Sequence, residues 1–343
     1  MISFENDYAE GAHELVLKRL FETNMAQEPG YGFDSFTESA KAKIREACGA
    51  PDADVYFLAG GTQTNATVID AFLRNYEGVI CAGTGHIAVH EAGAIEAGGH
   101  KVLTLPEDTK DGKVNAEALR TYLAQFYADS TWPHMSIPGM VYISQPTELG
   151  TLYTKAELTA LRAVCDEYKL KLYADGARLA YALACKENDV SLKDLAALCD
   201  AFYIGGTKCG TLCGEAVIFA GKTRPAQFFT TIKQHGALFA KGRLCGVQFD
   251  ALFTDELYEK CGAHAIRLSE KLRKAFAEKG YPFYADSPTN QIFVILTKEQ
   301  LERIGAEIRF SVWAPCEDGR TAVRFVTCWA TTEEAVDRLI ALL

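Results

Sequence analysis

From about Asp54 the chain alternates short apolar runs with amphipathic stretches. "VYFLA" (55–59) leads into the helical pattern "ATVIDAFL", "GVICA" (78–82) into "IAVHEAGAIEA", and "KVLTL" (101–105) into "NAEALRTYLAQFY". "MVYIS" (140–144) precedes "KAELTALRAVCDEY", "LKLYADG" (170–176) precedes "ARLAYALAC", and "AFYIGG" (201–206) and "EAVIFAG" (215–221) close the series. Strands that are apolar at successive positions are covered on both faces. Strands of that kind alternating with helices predict an α/β fold with a largely parallel sheet, whose ligands bind in the loops beyond the strand ends. After about Gly246 the texture changes. One long helical pattern, "DALFTDELYEKCGAHAIRLSEKLRKAFAEKG", is followed by strands "QIFVIL", "EIRFSVWA" and "AVRFVTCW" and a last helix, "TEEAVDRLIALL". That order predicts a smaller α+β unit. The expected division is an N-terminal arm (1–14), a large domain (15–248) and a small C-terminal domain (249–343).

Charge narrows the function. With 35 Lys and Arg against 45 Asp and Glu, the chain carries a net charge of −10, which argues against nucleic acid, since affinity for phosphate backbones rests on clustered cations. No apolar stretch approaches the roughly 20 residues of a membrane span. The start, "MISFENDYAE", has acids where a signal peptide needs a basic segment. A cytoplasmic protein with no membrane partner is expected. The 11 cysteines are scattered, and none sits at zinc-site spacing with a histidine, so reduced thiols are expected and no metal.

Candidate chemistry sits at strand ends. "YIGGTKCGTLCGE" (203–215) places Lys208 among small residues; a P-loop is excluded because Cys209 follows the lysine. "FLAGGTQTN" places Gly60, Gly61 and Thr62 between a strand and a helix, where free N–H groups and the helix dipole attract an anion. The dinucleotide fingerprint G-x-G-x-x-G is absent there, which disfavours NAD. "YADGAR" sets Asp175 at a strand end with Arg178 after it, and "GTGHIAVHE" sets His86 just beyond another. Each has a plain reading: a turn, an N-cap, a solvated histidine. Together they supply phosphate donors, a pyridinium partner, a stacking ring and an amine, the parts of a pyridoxal phosphate site.

The ordered set "YGFD" (31–34), "GGTQTN" (60–65), "GHIAVHE" (85–91), "QPTELGT" (145–151), "DGAR" (175–178), "GGTK" (205–208) and "AVRFVT" (322–327) resembles the threonine aldolases, fold-type-I pyridoxal phosphate enzymes of the β-eliminating lyase superfamily. The resemblance covers nearly the whole chain. It implies a mostly parallel, seven-stranded sheet in the large domain, and a homodimer or homotetramer with active sites shared between subunits. By that likeness Lys208 is the lysine that bonds the cofactor aldehyde and Asp175 the pyridinium partner. Gly60, Gly61 and Thr62 hold the phosphate, and His86 stacks on the cofactor. Arg178 and Arg324 bind the substrate carboxylate. Arg243, with Lys241 as helper, reaches a neighbouring subunit's phosphate, and His134 is a second candidate base. Two departures stand out. Asn6 replaces a serine that contacts the substrate carboxylate in many members, and Cys209 stands where asparagine often follows the lysine. The implied reaction is cleavage of L-threonine, L-allo-threonine or a related β-hydroxy-α-amino acid to glycine and an aldehyde. Another pyridoxal phosphate lyase or racemase acting at Cα, or a non-catalytic relative, stays open.

Overall fold

The computed structural model describes residues 1–105 and 111–343, and its strands fall into three sheets. In chain order they are β1 (Ile2–Ser3), β2 (Asp54–Leu58), β3 (Glu77–Cys81), β4 (Lys101–Thr104), β5 (Ile137–Ser144), β6 (Lys171–Asp175), β7 (Ala201–Gly205), β8 (Glu215–Phe219), β9 (Gln291–Leu296), β10 (Ile308–Arg309), β11 (Ser311–Pro315) and β12 (Thr321–Val326). The large sheet has seven strands in the order β2-β8-β7-β6-β5-β3-β4. Its pairs are parallel except where β8 runs antiparallel between β2 and β7. Successive residues of each inner strand feed different cores: Leu172, Ala174, Phe202 and Ile204 face one, while Tyr173, Ala201 and Tyr203 face the other. This two-sided burial is why the strands read as unbroken apolar runs. The seven-stranded, mainly parallel sheet therefore stands as expected.

Strands β11, β12 and β9 form an antiparallel sheet, which carries a third core with the last helix, Glu333–Leu342. The N-terminal segment does not hang free: β1 pairs with β10, and Phe4 is buried in that third core.

Three segments expected to be continuous are broken. The stretch 87–97 forms two short helices, His86–Val89 and Ala94–Ala97, because Ala92 and Gly93 adopt φ of 51° and 71°. The long pattern after residue 250 divides into helices Arg243–Leu252 and Leu257–Glu278, parted by Asp255 and Glu256 at φ of 52° and 58°. "EIRFSVWA" splits into β10 and β11, which belong to different sheets. Among the described residues, no helix is long and apolar enough to cross a membrane, and no group of three His, Cys, Asp or Glu is arranged to hold a metal ion.

Candidate active site

Asp175 is the last residue of β6, in register with Ser144 at the end of β5, and Lys208 follows β7 in the connection to β8. Two glycines let these ends meet. A Cβ on Gly176 would lie 1.9 Å from the Tyr203 carbonyl oxygen, and one on Gly205 would lie 2.4 Å from that of Ala177. The Gly205 N–H donates to the Gly176 carbonyl at 2.9 Å, closing the contact.

The Asp175 carboxylate is buried and saturated with donors. Oδ2 accepts from Tyr142 Oη at 2.6 Å and Asn65 Nδ2 at 3.0 Å; Oδ1 accepts from Tyr203 Oη at 2.6 Å and the Ala177 N–H at 2.9 Å. Burial, the largest influence, would raise its pKa. The charge of His86 and the donated hydrogen bonds outweigh it, so Asp175 lies below the ordinary aspartate value and stays ionised.

Asn65 also donates to Glu91 Oε1 at 2.7 Å, and His86 Nδ1 lies 2.7 Å from the same oxygen. The other Glu91 oxygen is buried without a partner. For His86, burial would lower the pKa most, but Glu91, Glu148 and Asp175 together raise it above the usual histidine value. Beside this network the helix Gly61–Phe72 starts at Gly60 with no side chain capping it, so the N–H groups of its first turn are free for an anion. A Cβ on Gly60 would meet nothing within 4 Å, whereas one on Gly61 would sit 3.2 Å from Tyr203 Oη. Backbone and ligand can come close here.

His86, Arg178, Lys208 and Arg324 line one cavity of about 550 Å³, together with Tyr8, His90, Glu148, Ser311 and Trp313. Burial first, then the nearby Arg178 charge, depresses the Lys208 amine below the ordinary lysine value. Arg178 is not a free fork: Nε and one Nη donate to Asp7 at 2.7 and 3.0 Å, forming a buried ion pair. Arg324 is less committed. It donates to Gln291 Oε1 at 3.0 Å and, at the longer distances of 3.4 and 3.5 Å, to the Glu5 carbonyl and Ser311 Oγ, lies over the Trp313 ring at 5.5 Å, and keeps a buried Nε with no partner. Two guanidiniums and an ammonium around one cavity call for an anion.

Four expected residues lie elsewhere. His134 ends the short turn Trp132–His134 and is exposed. It precedes β5, whereas the site lies past the far end of that strand, roughly 20 Å away at about 3.3 Å per residue; Glu148 and His90 line the cavity instead. Asn6 turns back to accept the Tyr8 N–H at 3.0 Å, and it is Asp7 and Tyr8 that reach the site. Lys241 and Arg243 line a different cavity, of about 620 Å³, where Arg243 donates to the carbonyls of Thr23, Asn24 and Ala26 beyond the helix Glu14–Thr23. Glu215, not singled out by sequence, accepts the Gly206 N–H at 3.1 Å, and burial pushes its carboxyl up to about 8.

A family model described as "Beta-eliminating lyase" matches residues 7–309. The chain belongs to the beta-eliminating lyase family. Among the relatives of this family member, the "Low specificity L-threonine aldolase" of Pseudomonas aeruginosa is 30% identical over 341 residues, spanning 98% of this chain and 95% of that one. The protein of the same name from Saccharomyces cerevisiae is 21% identical, spanning 79% and 68%. A solved threonine aldolase of Leishmania major superposes with a TM-score of 0.95 at 41% identity, covering 100% of this chain and 98% of that one. Thermus thermophilus aspartate aminotransferase with maleate, at 14% identity and a TM-score of 0.72 over 100% and 90%, shares the fold.

Proposed function

We propose that this beta-eliminating lyase family member is a pyridoxal phosphate-dependent threonine aldolase, cleaving L-threonine, L-allo-threonine or a related β-hydroxy-α-amino acid to glycine and an aldehyde. The observation that carries it is the meeting of Lys208, His86, Arg178 and Arg324 at one cavity, with ionised Asp175 and the uncapped helix Gly61–Phe72 joined to it through Tyr203, Asn65 and Glu91. The donor set fits the cofactor: an open helix N-terminus for a phosphate, a carboxylate for a protonated ring nitrogen, and an amine of lowered basicity for an aldehyde carbon. Bound there, pyridoxal phosphate supplies an electron sink for the pair released when a bond to Cα breaks.

The rest is work for this chain's own residues. The first-turn N–H groups of Gly61 and Thr62 hold the phosphate, and Asp175 keeps the proton on the ring nitrogen. Lys208, depressed by burial and Arg178, has more of its amine in the uncharged form that attacks carbonyl carbon. Arg324, which lines the cavity and whose Nε has no partner, takes the substrate carboxylate beside Arg178, whose orientation Asp7 sets. This holds the Cα–Cβ bond in the orientation that favours cleavage. The ring nitrogen of His86 that does not face Glu91 accepts the β-hydroxyl proton, and Glu91 stabilises the resulting imidazolium. The working unit is a homo-oligomer.

The direct test is acetaldehyde release from L-threonine and L-allo-threonine by cofactor-loaded protein, beside Lys208→Ala. Release by the wild type and none by the variant is expected. A cofactor-loaded wild type that releases no acetaldehyde from either epimer rejects threonine and allo-threonine as substrates, and no aldehyde from a panel of other β-hydroxy-α-amino acids rejects the aldolase reading.

A further inference from the structure

The connection from β7 to β8 carries Lys208 and two cysteines, and each meets a thiol from another element. Cys209 meets Cys261 on the helix Leu257–Glu278, and Cys213 meets Cys245 on the helix Arg243–Leu252. We infer that Cys213 and Cys245 are a redox-active thiol pair, which peroxide closes to a disulfide and which thereby slows turnover at Lys208.

The two pairs differ in access. Cys209, Cys261 and Cys245 are buried, while Cys213 is only partly buried, so a small oxidant reaches the second pair at Cys213. The loop backbone already lies against its partner: a Cβ on Gly214 would stand 3.3 Å from Cys245 Sγ and 3.6 Å from Cys245 Cβ. Gln248, one turn beyond Cys245, fixes the approach. Its Nε2 donates to the Cys213 carbonyl at 3.1 Å and lies 4.0 Å from Cys213 Sγ, and its Oε1 accepts the Leu212 N–H at 2.7 Å. Reactivity follows the same line. The Cys245 thiol, hydrogen-bonded toward Cys213, holds its pKa down to about 6, whereas burial pushes Cys48, Cys81 and Cys165 up to about 12. The thiolate is the reactive form.

The chemistry balances with hydrogen peroxide. The Cys213 thiolate attacks one peroxide oxygen, the O–O bond breaks, and protonation of the leaving hydroxide gives water and a sulfenic acid. Cys245 sulfur then attacks Cys213 sulfur, the S–O bond breaks, and a second water leaves with the Cys245 proton. Two thiols are oxidised and one peroxide is reduced. Forming the S–S bond, about 2.05 Å long, draws residue 213 toward the helix Arg243–Leu252. That pull reaches the lysine through short links: the Gly214 carbonyl accepts from the N–H groups of Gly206 and Thr207 at 3.0 and 3.2 Å, and the Gly214 N–H donates to Thr207 Oγ1 at 3.1 Å.

The test treats the holoenzyme with hydrogen peroxide, blocks free thiols, digests without reductant and maps peptides by mass, with turnover measured before and after dithiothreitol. The expected result is a Cys213 peptide joined to a Cys245 peptide, lighter by two hydrogens than their sum, with turnover lowered several-fold and restored by dithiothreitol. Cys213→Ser and Cys245→Ser should keep unoxidised turnover and lose both the linkage and the reversible loss. Cys245→Ser should leave a Cys213 sulfenic acid that dimedone traps. The peptide map on wild-type protein stands whether or not a variant folds, and whichever amino acid proves to be the substrate. Oxidation confined to Cys316, a Cys209–Cys261 linkage, or a 213–245 linkage with unchanged turnover overturns the inference.

Discussion

His86 and Glu91 share a hydrogen bond of 2.7 Å, and that single contact decides when the histidine can accept a proton. Glu91 is one of the groups that raise the His86 pKa against the lowering effect of burial. A base must be unprotonated, so kcat/KM should rise with pH through this raised value. Glu91→Gln removes the negative partner, and the acid limb of the kcat/KM profile should move to lower pH; an unmoved limb would mean that His86 is not the titrating base. At this scale the sequence was legible where chemistry is unusual for its place. A lysine after "YIGG" and an aspartate closing "LKLYAD" contradict their apolar surroundings, and so they draw the eye. Glu91 does not, because it sits in a stretch that looks like an amphipathic helix. Only the turn at Ala92 and Gly93 breaks that helix where Glu91 meets His86 and Asn65.

Among elements, the Arg243–Leu252 helix packs against the two N-terminal helices, Glu14–Thr23 and Ser35–Ala47. Gly246 allows the close approach, since a Cβ there would lie 2.1 Å from Thr37 Oγ1. Asp250 ties all three together, accepting from Arg19 Nη at 3.1 Å, Lys43 Nζ at 2.6 Å and Ser39 Oγ at 2.6 Å. Burial would raise the Asp250 pKa most, but Lys43, Ser39 and Arg19 more than offset it, leaving it below the ordinary carboxylate value. A carboxyl lowered on folding stabilises above its unfolded pKa, and that stability is lost as pH falls through the folded one. Asp250→Asn should therefore cost about 2 kcal/mol at neutral pH, as charged hydrogen bonds do. The gap to wild type in denaturant melts should close below the ordinary carboxylate range; a gap that persists there would assign the loss to packing instead. The helix ends at 252–257 escaped sequence reading because the break holds neither Gly nor Pro, the residues that punctuate a helix in sequence. Asp255 and Glu256 instead part the helices at positive φ.

For the molecule as a whole, the N-terminal region leaves large apolar side chains open: Phe21 is 85%, Met25 86% and Phe33 63% exposed. Nearby, Lys241 and Arg243 line a cavity shared with residues 23–24 and 26–30. Large exposed apolar side chains are candidates for an interaction surface, in keeping with the proposed homo-oligomer. Phe21→Glu should shift sedimentation velocity toward a lower-mass species, with kcat falling in parallel; unchanged sedimentation would place the contact elsewhere. The sequence by itself determined the covered sheet and the run of strands and helices along it, and it singled out Lys208 and Asp175 as candidates, because each depends on local pattern: two-sided apolar runs, glycines at strand ends, charge out of place. Arg324 was legible only through the family resemblance. Tertiary structure alone decided which groups surround them. Asp7 reaches Arg178 from the N-terminal segment, Asn65 links Asp175 to Glu91, and His134 stands before β5 rather than beyond its far end. Such contacts depend on which strand ends share an edge and how far each strand runs, distances through space that spacing along a chain does not encode.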